Sequence, residues 1–121
     1  MRLTESLSFS FGSELSEAAA LSFVRDVERS LTGSNLLAGL QLLPGEPVRL
    51  SAHLPVNTPL FGRRELPFVS ELHLTERGAA LVPAELEHKG RGWSEVGGEA
   101  TVEPTATGGS QLNYALALTI H

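Results

Sequence analysis

Two polar side chains fall on apolar rows of this sequence. Ser70 belongs to the alternating row Leu66, Phe68, Ser70, Leu72 and Leu74. Tyr114 belongs to the row Leu112, Tyr114, Leu116, Leu118 and Ile120. A polar atom on a core face needs a hydrogen-bond partner or a cavity. Ligand pockets combine apolar walls with a small number of such groups. Ser70 and Tyr114 could therefore orient a small bound molecule. The simpler arrangement is a serine bonded to nearby backbone and a tyrosine whose hydroxyl reaches the edge of the core. No serine lies in a G-x-S-x-G setting, and no nucleophile with its base stands out.

The other reactive groups are dispersed. His53, His73, His88 and His121 include no pair at the i, i+2 or i, i+4 spacing of a metal site. A zinc or iron centre would have to be assembled from distant strands. By parity His53 and His73 lie opposite the apolar residues of their own strands and face outward. Arg63 and Arg64 adjoin Glu65, and Lys89 and Arg91 precede Trp93. These basic turns could hold an anion or a partner, although charges at turns are ordinarily solvated. Glu85, Glu87, Glu95, Glu99 and Glu103 alternate and mark solvent faces. "VGGE" and "TGGS" lead into strands, so they lack the helix N-terminus that a phosphate cradle needs.

These groups are carried mostly by strands. "LTESLSFSF" puts Leu7, Phe9 and Phe11 on one face and Ser6, Ser8 and Ser10 on the other, which predicts a strand. Gly12 and Ser13 break it, with Ser13 expected to cap a helix over 14–32. Ala20, Phe23, Val24, Val27 and Leu31 form that helix's apolar stripe, and Gly33 ends it. It is the only long helix expected. "NLLAGLQLL" follows, closed by "PGEP". Next come "VRLSAHLPV", "RELPFVSELHLT" with an "ERG" hairpin turn, and "AALVPAELEH" with a "KGRG" turn. "WSEVGGEATVE" has Gly97 and Gly98 as an expected bulge or bend. "TATGG" leads into "QLNYALALTIH". Short turns between successive strands predict an antiparallel meander.

The chain has 121 residues, a formal net charge of -5 and a pI of about 5.3. One α+β domain is expected: about seven antiparallel strands curving around one long helix. The acidic balance argues against nucleic acid as a partner. With no cysteines, disulfides and thiolate chemistry are excluded. "MRLTESLSFSFGSELS" has no apolar core of a signal peptide, and no run reaches the ~20 residues of a membrane helix. A cytoplasmic location is expected, with no cofactor.

The order resembles the helix-grip fold of the START-like superfamily. That superfamily includes polyketide cyclases, plant pathogenesis-related ligand carriers and one family of carbon monoxide dehydrogenase subunits. The resemblance rests on "LSFSFGSELSEAAALSFVRDVERSL", "LPVNTPLFGRRELPFVSELHLTERGAALVP" and "GWSEVGGEATVEPTATGGSQLNYALALTIH". The last hairpin, a Gly-Ser turn into a Leu-x-Tyr strand, is most similar to the carbon monoxide dehydrogenase family. A similarity to a small uncharacterised bacterial family of this architecture is also noted. The resemblance implies a cavity for an apolar ligand between the sheet and a C-terminal helix, and this sequence stops where that helix would begin. The expected function is binding of a small apolar or amphipathic molecule between the helix and the sheet. Its walls would be Phe23, Val27, Leu54, Phe68, Leu72, Tyr114 and Leu116, with Ser70 and Tyr114 as polar handles. The alternative is an interaction module whose concave face grips a partner helix or a second copy, as a homodimer. A cyclase- or hydratase-like enzyme ranks third, because no acid–base pair stands out.

Overall fold

A computed structural model describes residues 2–32, 37–60, 62–87, 89–90 and 92–121. Expectations that fall on Gly33, His88 and Arg91 lie outside the described residues. The strands are β1 (Leu3–Ser13), β2 (Ala38–Leu43), β3 (Val48–Thr58), β4 (Gly62–Thr75), β5 (Gly78–Ala84), β6 (Ser94–Pro104) and β7 (Ser110–Ile120). They form a single antiparallel sheet in the order β1-β7-β6-β5-β4-β3-β2. The meander from β2 to β7 follows from short connections between successive apolar strands, and β1 closes onto β7.

The helical segment between β1 and β2 is interrupted. It comprises α1 (Glu17–Arg25) and α2 (Val27–Thr32), where one unbroken helix over 14–32 was expected. Asp26 makes the break. Its backbone amide donates to Ser22 O at 3.1 Å and closes α1. Its carboxylate accepts from the amide of Arg29 at 3.2 Å and opens α2. Aspartate competes for backbone amides in this way, so it favours caps over helix interiors. The N-cap also differs from expectation. Ser16 Oγ accepts from Ala19 N at 3.2 Å, whereas Ser13 remains in β1 opposite Ser110.

Register fixes the faces. Leu112, Tyr114, Leu116, Leu118 and Ile120 lie opposite Val102, Ala100, Gly98, Val96 and Ser94 of β6. On the other side they meet Phe11, Phe9, Leu7, Glu5 and Leu3 of β1. This is the concave face. Ala20 and Val24 of α1 pack on it against Ala79, Val102 and Leu112. A second cluster, Leu50, Ala52, Leu54, Phe68 and Val96, lies further along the sheet. Each large apolar side chain so buried stabilises by about 1.5–3 kcal/mol. Leu112 is fully buried, while Leu116, Leu118 and Ile120 are half-buried. The apolar row of β1 is exposed.

Pairing with β7 runs unbroken through Gly97 and Gly98, with no bulge on that side, whereas pairing with β5 stops at Gly98. Gly98 instead has φ of 143°, and an added Cβ would lie 2.0 Å from Ala115 O. Close approach of β7, together with a left-handed backbone, demands glycine there. The register shift lies in β2, between Ala38 and Gln41.

Candidate functional site

Among the described residues, three spaces on the concave face share walls. The first lies under the helices and measures about 40 Å³. Val24, Val27, Leu72, Tyr114 and Leu116 line it, with Ser30 of α2 at its margin. The second measures about 50 Å³ and is bounded by Leu7, Leu37, Leu54, Leu81, Leu116 and Leu118. The third is an open groove of about 480 Å³ between Leu3–Glu5 of β1 and Leu54–Asn57 of β3, floored by Leu118 and Ile120. Leu81 and Leu116 belong to both the first and second spaces. Leu54 and Leu118 belong to both the second space and the groove. The sheet thus curls far enough for β1 and β3 to flank one trough.

The residues expected to form the site separate into two groups. Val27, Leu72, Tyr114 and Leu116 meet around the first space, and Leu54 stands between the second space and the groove. Phe23, Phe68 and Ser70 are not among the walls of these spaces. Phe23 is half-buried against the cluster under α1. Phe68 and Ser70 are fully buried. The Ser70 hydroxyl donates to Val96 O at 2.5 Å, so it is engaged in joining two strands.

Tyr114 is stacked between aromatic neighbours. Its ring centroid is 5.0 Å from that of Phe9 and 6.0 Å from that of Phe11, with planes within 13° and 11°. Cross-strand register produces this, since Phe9 lies directly opposite Tyr114 and Phe11 one pair further along. Burial among these rings and the helix pushes the phenol pKa above its ordinary 10.0. Phe9 and Phe11 are contributors that residue types alone did not place here. Their alternation with serines was visible, but their pairing with β7 was not.

The described histidines stay apart. His73 sits beside Glu71 on the outer face at 3.1 Å, and the Nδ1 of His53 lies against Gly39. His121 Nε2 is 2.6 Å from Glu95. Its ring stacks on Trp93 at 3.9 Å, and Lys89 Nζ stands 4.5 Å over the other partner of that stack, the Trp93 ring. Arg63 pairs with Glu65 at 3.7 Å, and both are exposed. Among the described residues no three acidic or imidazole groups come together as a metal site. No described helix is long and apolar enough to cross a membrane.

A family model described as a protein of unknown function, DUF3809, matches residues 8–121. The chain belongs to the DUF3809 family. No curated protein matches the sequence. Among solved structures, DR_A0006 from Deinococcus radiodurans is similar, with a TM-score of 0.63 at 16% identity. That likeness covers 93% of this chain and 81% of the other. Ara h 8.0201 is similar with a TM-score of 0.51 at 11% identity, covering 98% of this chain and 77% of that one. At these identities the likeness concerns the fold. The DUF3809 chain has the helix-grip fold, a curved seven-stranded antiparallel sheet with its helical segment on the concave side.

Proposed function

We propose that the protein binds a small apolar or amphipathic molecule along the concave trough. The observation that carries this reading is the chain of shared walls, Leu116 to Leu118 to Leu54, that joins the two smaller spaces to the larger groove. The two smaller spaces, about 40 and 50 Å³, fall far below the size of a ligand pocket. The groove lies within the ~300–1,000 Å³ of ligand pockets. The bulk of a ligand would therefore rest between β1 and β3, with its apolar end directed inward past Leu118. Glu5 is a carboxylate on the groove wall, which suits a guest with one polar end left at the mouth. The likeness of the last hairpin to the carbon monoxide dehydrogenase family adds no ligand to this reading.

An environment-sensitive apolar dye tests it. Native protein should bind the dye saturably at one site. Leu118→Trp, which fills the floor of the groove, should weaken binding at least tenfold with little change in thermal midpoint. Dye uptake confined to acid-expanded protein, or equal affinity in the variant, would overturn the reading.

A further inference from the structure

The free edges of the sheet are treated very differently. β2, at one end, has only six residues, carries a register shift and is followed by Pro44. The half of β3 that β2 does not cover contains Pro55. Short length, bulges and proline are the devices that keep edges from pairing with other chains. β1, at the opposite end, has none of them. It runs for eleven residues with unbroken register against β7, and contains no proline, lysine or arginine. Among the described residues, nothing pairs with its outer side. Its concave row is also open: Leu3 is 53% exposed, Leu7 40%, Phe9 39% and Phe11 46%.

We propose that the outer edge of β1 pairs antiparallel with β1 of a second copy, centred on Ser8. The symmetry of the strand selects this occupant. A two-fold axis perpendicular to the sheet keeps each side chain on its own face, so residues meet whose numbers have the same parity. The odd row, Leu3 to Phe11, then continues as one apolar surface across the axis, and the even row, Thr4 to Ser10, as one hydroxyl surface. Full overlap of Leu3–Ser13 requires Ser8 to face its own copy. Leu7 then meets Phe9, and Ser6 meets Ser10. Glu5, the strand's single charge, faces Phe11. The two Glu5 carboxylates end about 20 Å apart at ~3.4 Å per residue, beyond the ~8 Å screening length of physiological salt. No like charges oppose the pairing. The four half-exposed apolar side chains offer on the order of 300 Å² per copy. With the strand backbones added, the interface lies near the ~1,000 Å² lower bound for specific association. The dimer is therefore weak and concentration-dependent. This inference does not rest on ligand binding.

Sedimentation of the full chain over a concentration series tests it, alongside two variants on the exposed hydroxyl row. Ser6→Lys/Ser8→Lys/Ser10→Lys places like charges opposite one another, as does the corresponding triple Glu variant. Each should raise the dimer Kd at least tenfold while leaving the thermal midpoint of dilute protein in place. An equimolar mixture of the two should recover wild-type affinity or better. A wild-type chain that stays monomeric at millimolar concentration overturns the proposal. So does a dimer whose Kd the lysine variant leaves unchanged, because that dimer uses another surface.

Discussion

The guanidinium of Arg25 donates through Nε to the carbonyl of Gly78 at 3.2 Å, and the same side chain also reaches Thr75 O and, at 3.4 Å, Glu76 O. The last turn of α1 is thereby fastened to the β4–β5 hairpin turn. Gly78 fits because β6 presses against it: an added Cβ would lie 1.8 Å from Ala100 O. Hydrogen bonds from a charged donor contribute about 1.5–3 kcal/mol, and partial exposure places this set toward the lower end. Arg25→Met, which keeps the apolar stem, should lower the urea-unfolding free energy by about 1–2 kcal/mol. Gly78→Ala should cost about 3 kcal/mol or more, since backbone rather than a side chain must yield. An Arg25→Met variant as stable as wild type would show that the clamp contributes nothing in solution.

Ser70 and Ser94 form a seam. Pairing of β5 with β6 ends at Leu81 and Gly98, so the Val96 carbonyl has no ladder partner from β5. Ser70 Oγ of β4 supplies one, and Ser94 Oγ of β6 returns a bond to Leu66 O at 3.1 Å. Loss of the Ser70 hydroxyl takes this partner from the Val96 carbonyl, and loss of the Ser94 hydroxyl breaks its bond to Leu66 O, each at a cost of about 1–3 kcal/mol. Ser70→Ala and Ser94→Ala should each show that loss by urea unfolding, with dye affinity unchanged. A Ser70→Ala variant of native stability but altered dye binding would return Ser70 to the ligand site.

Strand parity was legible because side chains alternate with period two. It put Ser70 and Tyr114 on the concave face correctly. It could not supply the partner of Ser70, because Val96 lies 26 residues on and becomes available only where the pairing of β5 with β6 stops. Nor could it say that β1 would be an edge, so the exposure of Phe9 and Phe11 was not legible. The helix stripe was real in Ala20, Val24 and Val27, all buried. Its period continues across Asp26, however, and so conceals the break. "GSELSE" holds two serines fit to cap a helix. Pairing of Ser13 with Ser110 decides between them, and that is a long-range fact.

Trp93 is the only tryptophan, and its ring lies 3.9 Å from that of His121 at an interplanar angle of 7°. A stacked imidazole quenches indole emission. His121→Ala should therefore brighten native tryptophan fluorescence, with no change in the emission of the unfolded chain. Glu95→Gln, which removes the carboxylate 2.6 Å from His121 Nε2, should loosen the stack and give a smaller gain. Equal native emission in all three proteins would mean that the rings do not stack in solution.

Tyr114 predicts how stability responds to alkali. Burial raises its folded-state pKa above the 10.0 of an exposed phenol. Below that value the phenol keeps its proton in both states, and the stabilisation is fully present. As pH rises further, the unfolded chain loses the proton first and unfolding becomes progressively more favourable. The loss continues until pH passes the folded pKa. Because Tyr114 is the only tyrosine, the phenolate absorbance of the native protein reports this group alone. Its midpoint should lie above 10 in buffer and fall to about 10 in strong urea, the value of an exposed tyrosine. Tyr114→Phe should remove this contribution to the decline in stability above pH 10 while keeping the stack with Phe9. A native midpoint equal to that in urea would place the hydroxyl in open water and take Tyr114 out of the trough wall.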